Sequence, residues 1–304
     1  MENNIIPIAL FAYARPDHLL QTLDGLRRNN VPLIYAFCDG PKDESKYENV
    51  TKVRDILKAV DWTEIIITER DSNWGLGTSI RAGVTEVFEK HDKVIVIEDD
   101  IVMRPRAYEY TCSALNFFEN NNEVMTISMW THPLITPKKV INGFFSSRFV
   151  CWGWGTYKKY WKLYDRSPLE IYNEVIIKNP KLLNWGDDMR IQALNSSRYN
   201  LWYIGYALLH FHYNKLSFFP AENLIINIGR DNEATNTKGG IHDDYKLMHK
   251  EIMIKSDFDK IIKPKSLPRH FRKYFDYKGQ SFIYIQIKKV KRNYAKIIRQ
   301  LFIK

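Results

Sequence analysis

The sequence predicts an α/β fold built on a parallel sheet, and three observations carry that reading. Short apolar runs alternate with amphipathic segments through about the first hundred residues, giving β-α-β-α-β-α-β. One of those runs, Val94-Ile95-Val96-Ile97, is wholly apolar, as a central strand covered on both faces should be. The polar residues of this half fall mostly just after the strands, where an open α/β sheet gathers its ligand site.

The elements follow in order. Ile5 to Ala12 is apolar and ends in Tyr13-Ala14-Arg15-Pro16. Pro16 and Asp17 then open a helix with Leu19, Leu20, Leu23 and Leu26 on one face. Leu33 to Cys38 is a second strand, stopping at Asp39-Gly40-Pro41, and a helical stretch runs from Glu44 to Val60. Ile65 to Ile67 leads into Arg70-Asp71-Ser72-Asn73-Trp74-Gly75-Leu76-Gly77, with a helix from Thr78 to Phe88. Val94 to Ile97 then runs straight into Glu98-Asp99-Asp100. Three adjacent acids repel one another unless a cation or hydrogen-bond donors compensate. A divalent metal carrying a diphosphate is a natural compensator, because Mg²⁺ or Mn²⁺ takes one or two carboxylates plus phosphate oxygens.

Further along, Arg106 to Glu119 reads as a helix with Ala107, Tyr110, Leu115 and Phe118 inward, and Val124 to Met129 as a strand. Trp152, Trp154 and Trp161 sit close together around Gly153 and Gly155, either as core or as a platform for the apolar face of a sugar ring. Asp187 and Asp188 follow Trp185-Gly186 at the start of a helical stretch, where an acid also serves as a cap. Leu216 to Phe219 and Leu224-Ile225-Ile226 are apolar, and the latter leads to Asn227-Ile228-Gly229-Arg230-Asp231. His242, Asp243 and Asp244 are a conceivable metal group in a polar loop.

Composition bounds the function. Apolar content of 45% supports a sizeable core, and three widely spaced cysteines suit a reducing cytoplasm better than a disulfide framework. The first apolar run holds Pro7 and lacks a cationic leader, so it reads as a strand and not a signal peptide. No run of about 18 apolar residues suggests a transmembrane helix. The net charge of +10 is uneven. From Lys260 onward there are 14 Lys/Arg and a single acid, Asp276, for +13; the first 259 residues hold 31 Lys/Arg against 34 Asp/Glu, for −3. In the tail Ile287, Val290, Tyr294, Ile297, Ile298 and Leu301 recur at helical spacing among lysines and arginines. That is a basic amphipathic helix suited to an anionic membrane surface or an acidic partner. A near-neutral globule argues against a nucleic-acid partner.

The series Phe11-Ala12-Tyr13-Ala14-Arg15-Pro16, Asp39-Gly40, Asn73-Trp74-Gly75-Leu76-Gly77 and Glu98-Asp99-Asp100 resembles inverting glycosyltransferases of the GT-A fold. It is most similar to bacterial sugar transferases related to the N-acetylglucosaminyltransferases of protein glycosylation. Cys151-Trp152-Gly153-Trp154-Gly155-Thr156-Tyr157 and Asn227-Ile228-Gly229-Arg230-Asp231 match that bacterial group too, so the likeness spans roughly 5–240. The resemblance implies a Rossmann-like mixed sheet flanked by helices, with the basic helical tail appended. Residues 1–105 would be the nucleotide-sugar-binding half of one domain, 106–258 its acceptor-binding half and 259–304 the tail. Arg15 and Asp39 would contact the nucleotide, Asn73 and Gly75 would lie beside the donor, and Glu98 and Asp99 would touch sugar and ribose. Asp100 would bind Mn²⁺ (or Mg²⁺). The family's base, an Asp after a Trp, falls on Asp187 or Asp188 with a Gly interposed, with Asp231 in reserve. Where many relatives carry Gly-Thr-His, this chain has Ala234-Thr235-Asn236.

The implied activity is transfer of a sugar, N-acetylglucosamine by preference, from a UDP-sugar to a hydroxyl of a glycan or lipid-linked acceptor in cell-surface polysaccharide synthesis. It would take place in the cytoplasm at the inner face of the membrane. Within the enzyme class the alternative is a sugar-1-phosphate nucleotidyltransferase, which would need a Gly- and base-rich phosphate loop after the first strand. Outside it stand a non-catalytic carbohydrate-binding module and a basic nucleic-acid-binding protein.

Overall fold

The computed structural model describes residues 5–131, 140, 142–229, 247–253, 255, 257–258, 267–269 and 271. Asp231, the His242-Asp243-Asp244 group and nearly all of the basic tail lie outside these residues.

The first half alternates as expected. β1 (Ile8–Ala12) leads through α1 (Pro16–Arg28) to β2 (Leu33–Cys38), and α2 (Tyr47–Lys58) leads to β3 (Glu64–Glu69). α3 (Leu76–Lys90) returns the chain to β4 (Lys93–Glu98). α1 begins at Pro16, whose fixed φ suits the first helical position, and buries Leu19, Leu23 and Leu26. Leu20 falls off that stripe and is half exposed, because the spacing 19, 23, 26 already fills the inward face. The expected helix 44–60 is a 3₁₀ turn at Glu44–Lys46 followed by α2.

β5 (Ile101–Met103), α4 (Ala107–Phe117), β6 (Val124–Ser128), β7 (Gly143–Ser146) and β8 (Trp154–Tyr157) come next. The short helices α5 (Lys158–Trp161), α6 (Pro168–Lys178), α7 (Asp188–Leu194) and α8 (Ser196–Tyr199) follow, then α9 (Trp202–His212), β9 (Leu216–Pro220) and β10 (Ile225–Asn227). Eight strands form one sheet in the order β3-β2-β1-β4-β8-β6-β9-β7, and β5 pairs antiparallel with β10 beside it. β1 through β4 pair in parallel, while β8 runs antiparallel between β4 and β6. The result is a mixed, Rossmann-like sheet flanked by helices.

The strand order fixes the site. The chain steps outward from β1 to β2 to β3, then crosses back to place β4 on the other side of β1. The crevice at such a reversal lies beyond the carboxyl ends of the two strands. Here those ends deliver Tyr13–Arg15 and Glu98–Asp100 to the same place.

The tryptophans divide. Trp154 is fully buried and Trp161 nearly so, both in an aromatic core with Trp202, Tyr206 and Phe149. Trp152 is half-buried and packs edge-on against Trp130, with ring centroids 4.5 Å apart. Among the described residues no helix is long and apolar enough to cross a membrane.

Candidate active site at the β1–β4 crevice

Glu98 ends β4, Asp99 and Asp100 make the turn to β5, and α1 holds that turn: Thr22 Oγ1 donates to the Asp99 carbonyl at 2.9 Å. The Asp99 side chain is buried and accepts from the Tyr13 N–H at 3.2 Å and from Arg15 Nη2 at 2.5 Å. The same Nη2 reaches Asp100 Oδ2 at 2.9 Å. One guanidinium therefore bridges two of the three acids, and their charge strengthens its hold on its proton. Burial, with repulsion from Asp100 and Asp99, pushes Glu98 up to about 8. Burial raises Asp99 as well, with Arg15 opposing.

From the other side the β5–β10 pair brings the 228–229 backbone to the triplet. The Ile228 N–H donates to the Asp100 carbonyl at 2.9 Å, and a Cβ on Gly229 would stand 1.9 Å from Asp100 Oδ2. A cleft of about 950 Å³ adjoins Arg15, lined also by His18, Gln21, Asn49, Lys52 and Ile228. Of the candidate site residues, Arg15 alone lines that cleft, so it neighbours the triplet and does not enclose it.

Asp39 stands at the end of β2, and all its acceptor positions are in use. Oδ1 accepts from Arg70 Nη1 at 3.0 Å and from Ser79 Oγ at 3.1 Å; Oδ2 accepts from the Trp74 and Gly75 N–H groups at 3.1 and 3.0 Å. A carboxylate offers about four lone-pair sites. Asp39 thus pins the loop between β3 and α3 to the end of β2. Gly75 turns there with φ +74°, a region an L side chain rarely adopts, and Asn73 Nδ2 donates to the Gly40 carbonyl at 3.3 Å. Trp74 is half exposed above the Arg70 guanidinium, 4.4 Å from ring centroid to Cζ.

Asp188 is buried, and Arg148 forks onto both its oxygens at 2.9 and 2.6 Å. Asp187 is half-buried and pairs with Arg190 at 2.6 and 2.9 Å, which draws its carboxyl below the ordinary range. Both are held at the start of α7.

Carboxylate oxygens are hard donors suited to Mn²⁺ or Mg²⁺. Among the described residues no three His, Cys, Asp or Glu side chains group to hold a metal by themselves. Asp99 and Asp100 therefore fit an ion that completes its shell with phosphate oxygens and water, and not one caged by protein. Sequence reasoning missed Tyr13 N–H, Thr22, Arg70 and Ser79 as partners of the acids. Each is a contact between distant segments that no local pattern marks.

No protein-family model and no curated protein matches the sequence. Among solved structures, a mannosyltransferase from Pyrobaculum calidifontis in complex with GDP-Man and Mn²⁺ is similar at TM-score 0.40 and 11% identity, over 53% of this chain and 46% of that one. A 4-diphosphocytidyl-2C-methyl-D-erythritol synthase from Anaerococcus prevotii is similar at TM-score 0.32 and 15% identity, over 52% and 75%. An inositol-1-phosphate CTP transferase from T. maritima follows at 0.29 and 13%, over 54% and 76%. The chain thus spans less than half the length of the mannosyltransferase.

Proposed function

We infer that this chain is a metal-dependent glycosyltransferase that moves a sugar from a nucleotide diphosphate to an acceptor hydroxyl. One observation carries the reading: the strand-order reversal gathers Arg15 and three carboxylates, two of them bridged by that arginine, at one crevice. A diphosphate supplies acceptors for a guanidinium, and the acids suit a divalent ion held jointly with it. Asp99 and Asp100 would hold that ion, which when bound stabilises the negative charge of the leaving diphosphate.

The chain's own residues do the rest. Arg15 binds and orients the diphosphate. Asp39 fixes the loop of Asn73 and Gly75 against which the donor lies. A carboxylate near the acceptor takes the hydroxyl proton as the oxygen attacks the anomeric carbon from the face opposite the leaving group. Asp187, less enclosed than Asp188, is the first choice for that base, with Asp231 in reserve. Inversion needs no enzyme nucleophile. The donor we favour is a UDP-sugar, UDP-N-acetylglucosamine first, on the strength of the sequence resemblance. The acceptor is a glycan or lipid-linked glycan at the inner membrane face, which the basic tail would reach.

The nucleotidyltransferase alternative gains nothing from the crevice. Tyr13-Ala14-Arg15 passes directly from β1 into α1, without a glycine-rich phosphate loop. A panel of UDP-, GDP- and dTDP-sugars, scored for slow donor hydrolysis with and without Mn²⁺, tests the proposal. Hydrolysis of a UDP-sugar that requires the ion is expected. Release of diphosphate from a nucleoside triphosphate and a sugar phosphate, with no donor hydrolysis, would overturn it.

A further inference from the structure

We propose that Arg15 is a built-in stand-in cation that bars a bare divalent ion from Asp99 and Asp100 and yields only when a diphosphate draws it away. This deepens the preceding reading and rests on it for the identity of the diphosphate ligand.

The argument starts from position. Arg15 Nη2 lies 2.5 Å from Asp99 Oδ1 and 2.9 Å from Asp100 Oδ2, so it occupies the space between the oxygens an incoming ion would use. A divalent ion on the same oxygens would stand within a few ångströms of the guanidinium, and like charges that close repel strongly. Ion and arginine are therefore alternatives at this pair. Arg15 holds its place well, since its side chain is about one-fifth exposed and two carboxylates answer it. Asp99 is further fixed by the Tyr13 N–H, so the pair cannot simply turn away to make a second position.

The arginine also has somewhere to go. It lines the open cleft of about 950 Å³ beside the triplet, so the guanidinium can swing outward without unpacking the core. A diphosphate offers it several charged oxygens in the bidentate geometry that guanidinium prefers. Once Arg15 turns to the phosphates, Asp99 and Asp100 regain uncompensated charge, and an ion bound jointly with the diphosphate replaces it. Ion and nucleotide thus enter as a linked pair, each raising the affinity of the other by the same factor. Arg15 stands one residue before Pro16, at the mouth of α1.

The test is a Mn²⁺ titration of the full chain followed by electron paramagnetic resonance of free ion, with Mn²⁺ alone and with Mn²⁺ plus UDP or inorganic pyrophosphate. Wild type is expected to bind Mn²⁺ alone weakly and at least tenfold more tightly when UDP is present. Arg15→Gln is expected to bind Mn²⁺ alone at least tenfold more tightly than wild type, and to lose most of the gain from UDP. Arg15→Lys, a point charge without the fork, should fall between. Adding Asp100→Asn to Arg15→Gln should remove the gain. Equal affinity of wild type and Arg15→Gln for Mn²⁺ alone, in proteins with matching circular dichroism, would overturn the stand-in role. So would a gain that survives Asp100→Asn. Failure of the glycosyltransferase reading looks different: no nucleotide sugar is hydrolysed, while the difference between wild type and Arg15→Gln with Mn²⁺ alone persists.

Discussion

Gly229 lies against the Asp100 carboxylate so closely that a Cβ there would stand 1.9 Å from Oδ2. No contact at that distance survives, so Gly229→Ala must displace either the 228–229 backbone or the carboxylate. The backbone is tied by the Ile228 N–H to the Asp100 carbonyl, which leaves the side chain to move. Gly229→Ala should therefore cut donor turnover at least tenfold, about 1.4 kcal/mol at the transition state, while shifting Tm by only a few degrees. Asp100→Asn should abolish turnover with the fold intact. Thermal melts alongside donor hydrolysis check both, and near-wild-type turnover in either variant contradicts the role of Asp100.

Asp39 should behave as a structural clamp. Asp39→Ala leaves Arg70 buried without its carboxylate and the Ser79, Trp74 and Gly75 donors without their acceptor, so a loss of about 3–5 kcal/mol is expected. Urea denaturation measures it. Hydrogen exchange should show the N–H groups of Trp74 and Gly75 opening first. A variant as stable as wild type would mean that Asp39 is available to a ligand after all.

The two acids of α7 should separate under the same conservative change. Asp188→Asn removes the charge facing Arg148 in a buried site, so stability should fall by about 3 kcal/mol or more. Asp187→Asn loses only a half-exposed pair, and Tm should hardly move. If Asp187 is the base, its variant loses about 10² to 10⁴ in kcat with Tm retained. Unchanged kcat in Asp187→Asn would move the base to Asp231.

Glu98 predicts a pH dependence of the metal-free protein. Its folded carboxyl sits well above the ordinary value of 4.5, at about 8, so the folded chain binds more protons than the unfolded one between those values. Stability should then be fullest below about pH 4.5, as far as this residue is concerned, and decline as pH rises toward 8. Denaturation in chelator across that range, compared with Glu98→Gln, isolates the effect. The variant should lose most of the slope. An identical slope in both proteins would show that Glu98 does not titrate there.

The +13 of the residues from Lys260 onward should govern membrane attachment. Each Lys or Arg near an anionic surface contributes about 1 kcal/mol, screened by salt. Truncation after Phe271, which keeps the buried Leu267 and Phe271 in their cluster with Phe144 and Phe219, should leave donor hydrolysis unchanged and abolish binding to anionic liposomes. Intact protein that ignores such liposomes at low salt would end the membrane reading.

Local chemistry made the first half of the chain legible. Pro16 and Asp17 mark the start of α1, and the run Val94–Ile97 meeting three acids marks a strand end at a crevice. The second half was harder to read. α9 is buried on nearly every side from Trp202 to Phe211, so it shows no amphipathic stripe to count. β5 and β10 are three residues each, too short for a period, yet their pairing is what carries Gly229 to Asp100. The full engagement of Asp39 by Arg70, Ser79, Trp74 and Gly75 depends on the meeting of two loops, which spacing along the chain does not reveal.

β8 has a consequence for how the protein is made. It hydrogen-bonds to β4 on one side and β6 on the other, and so covers an edge that residues 1–105 cannot close alone. During synthesis the apolar strand Lys93–Glu98 emerges well before Trp154–Tyr157, and until then it offers an unpaired row of N–H and C=O groups. A ribosome-released fragment ending near residue 105 should accordingly self-associate. Glu98, Asp99 and Asp100 at the end of that strand would meanwhile put charge at the open edge and help to keep it soluble.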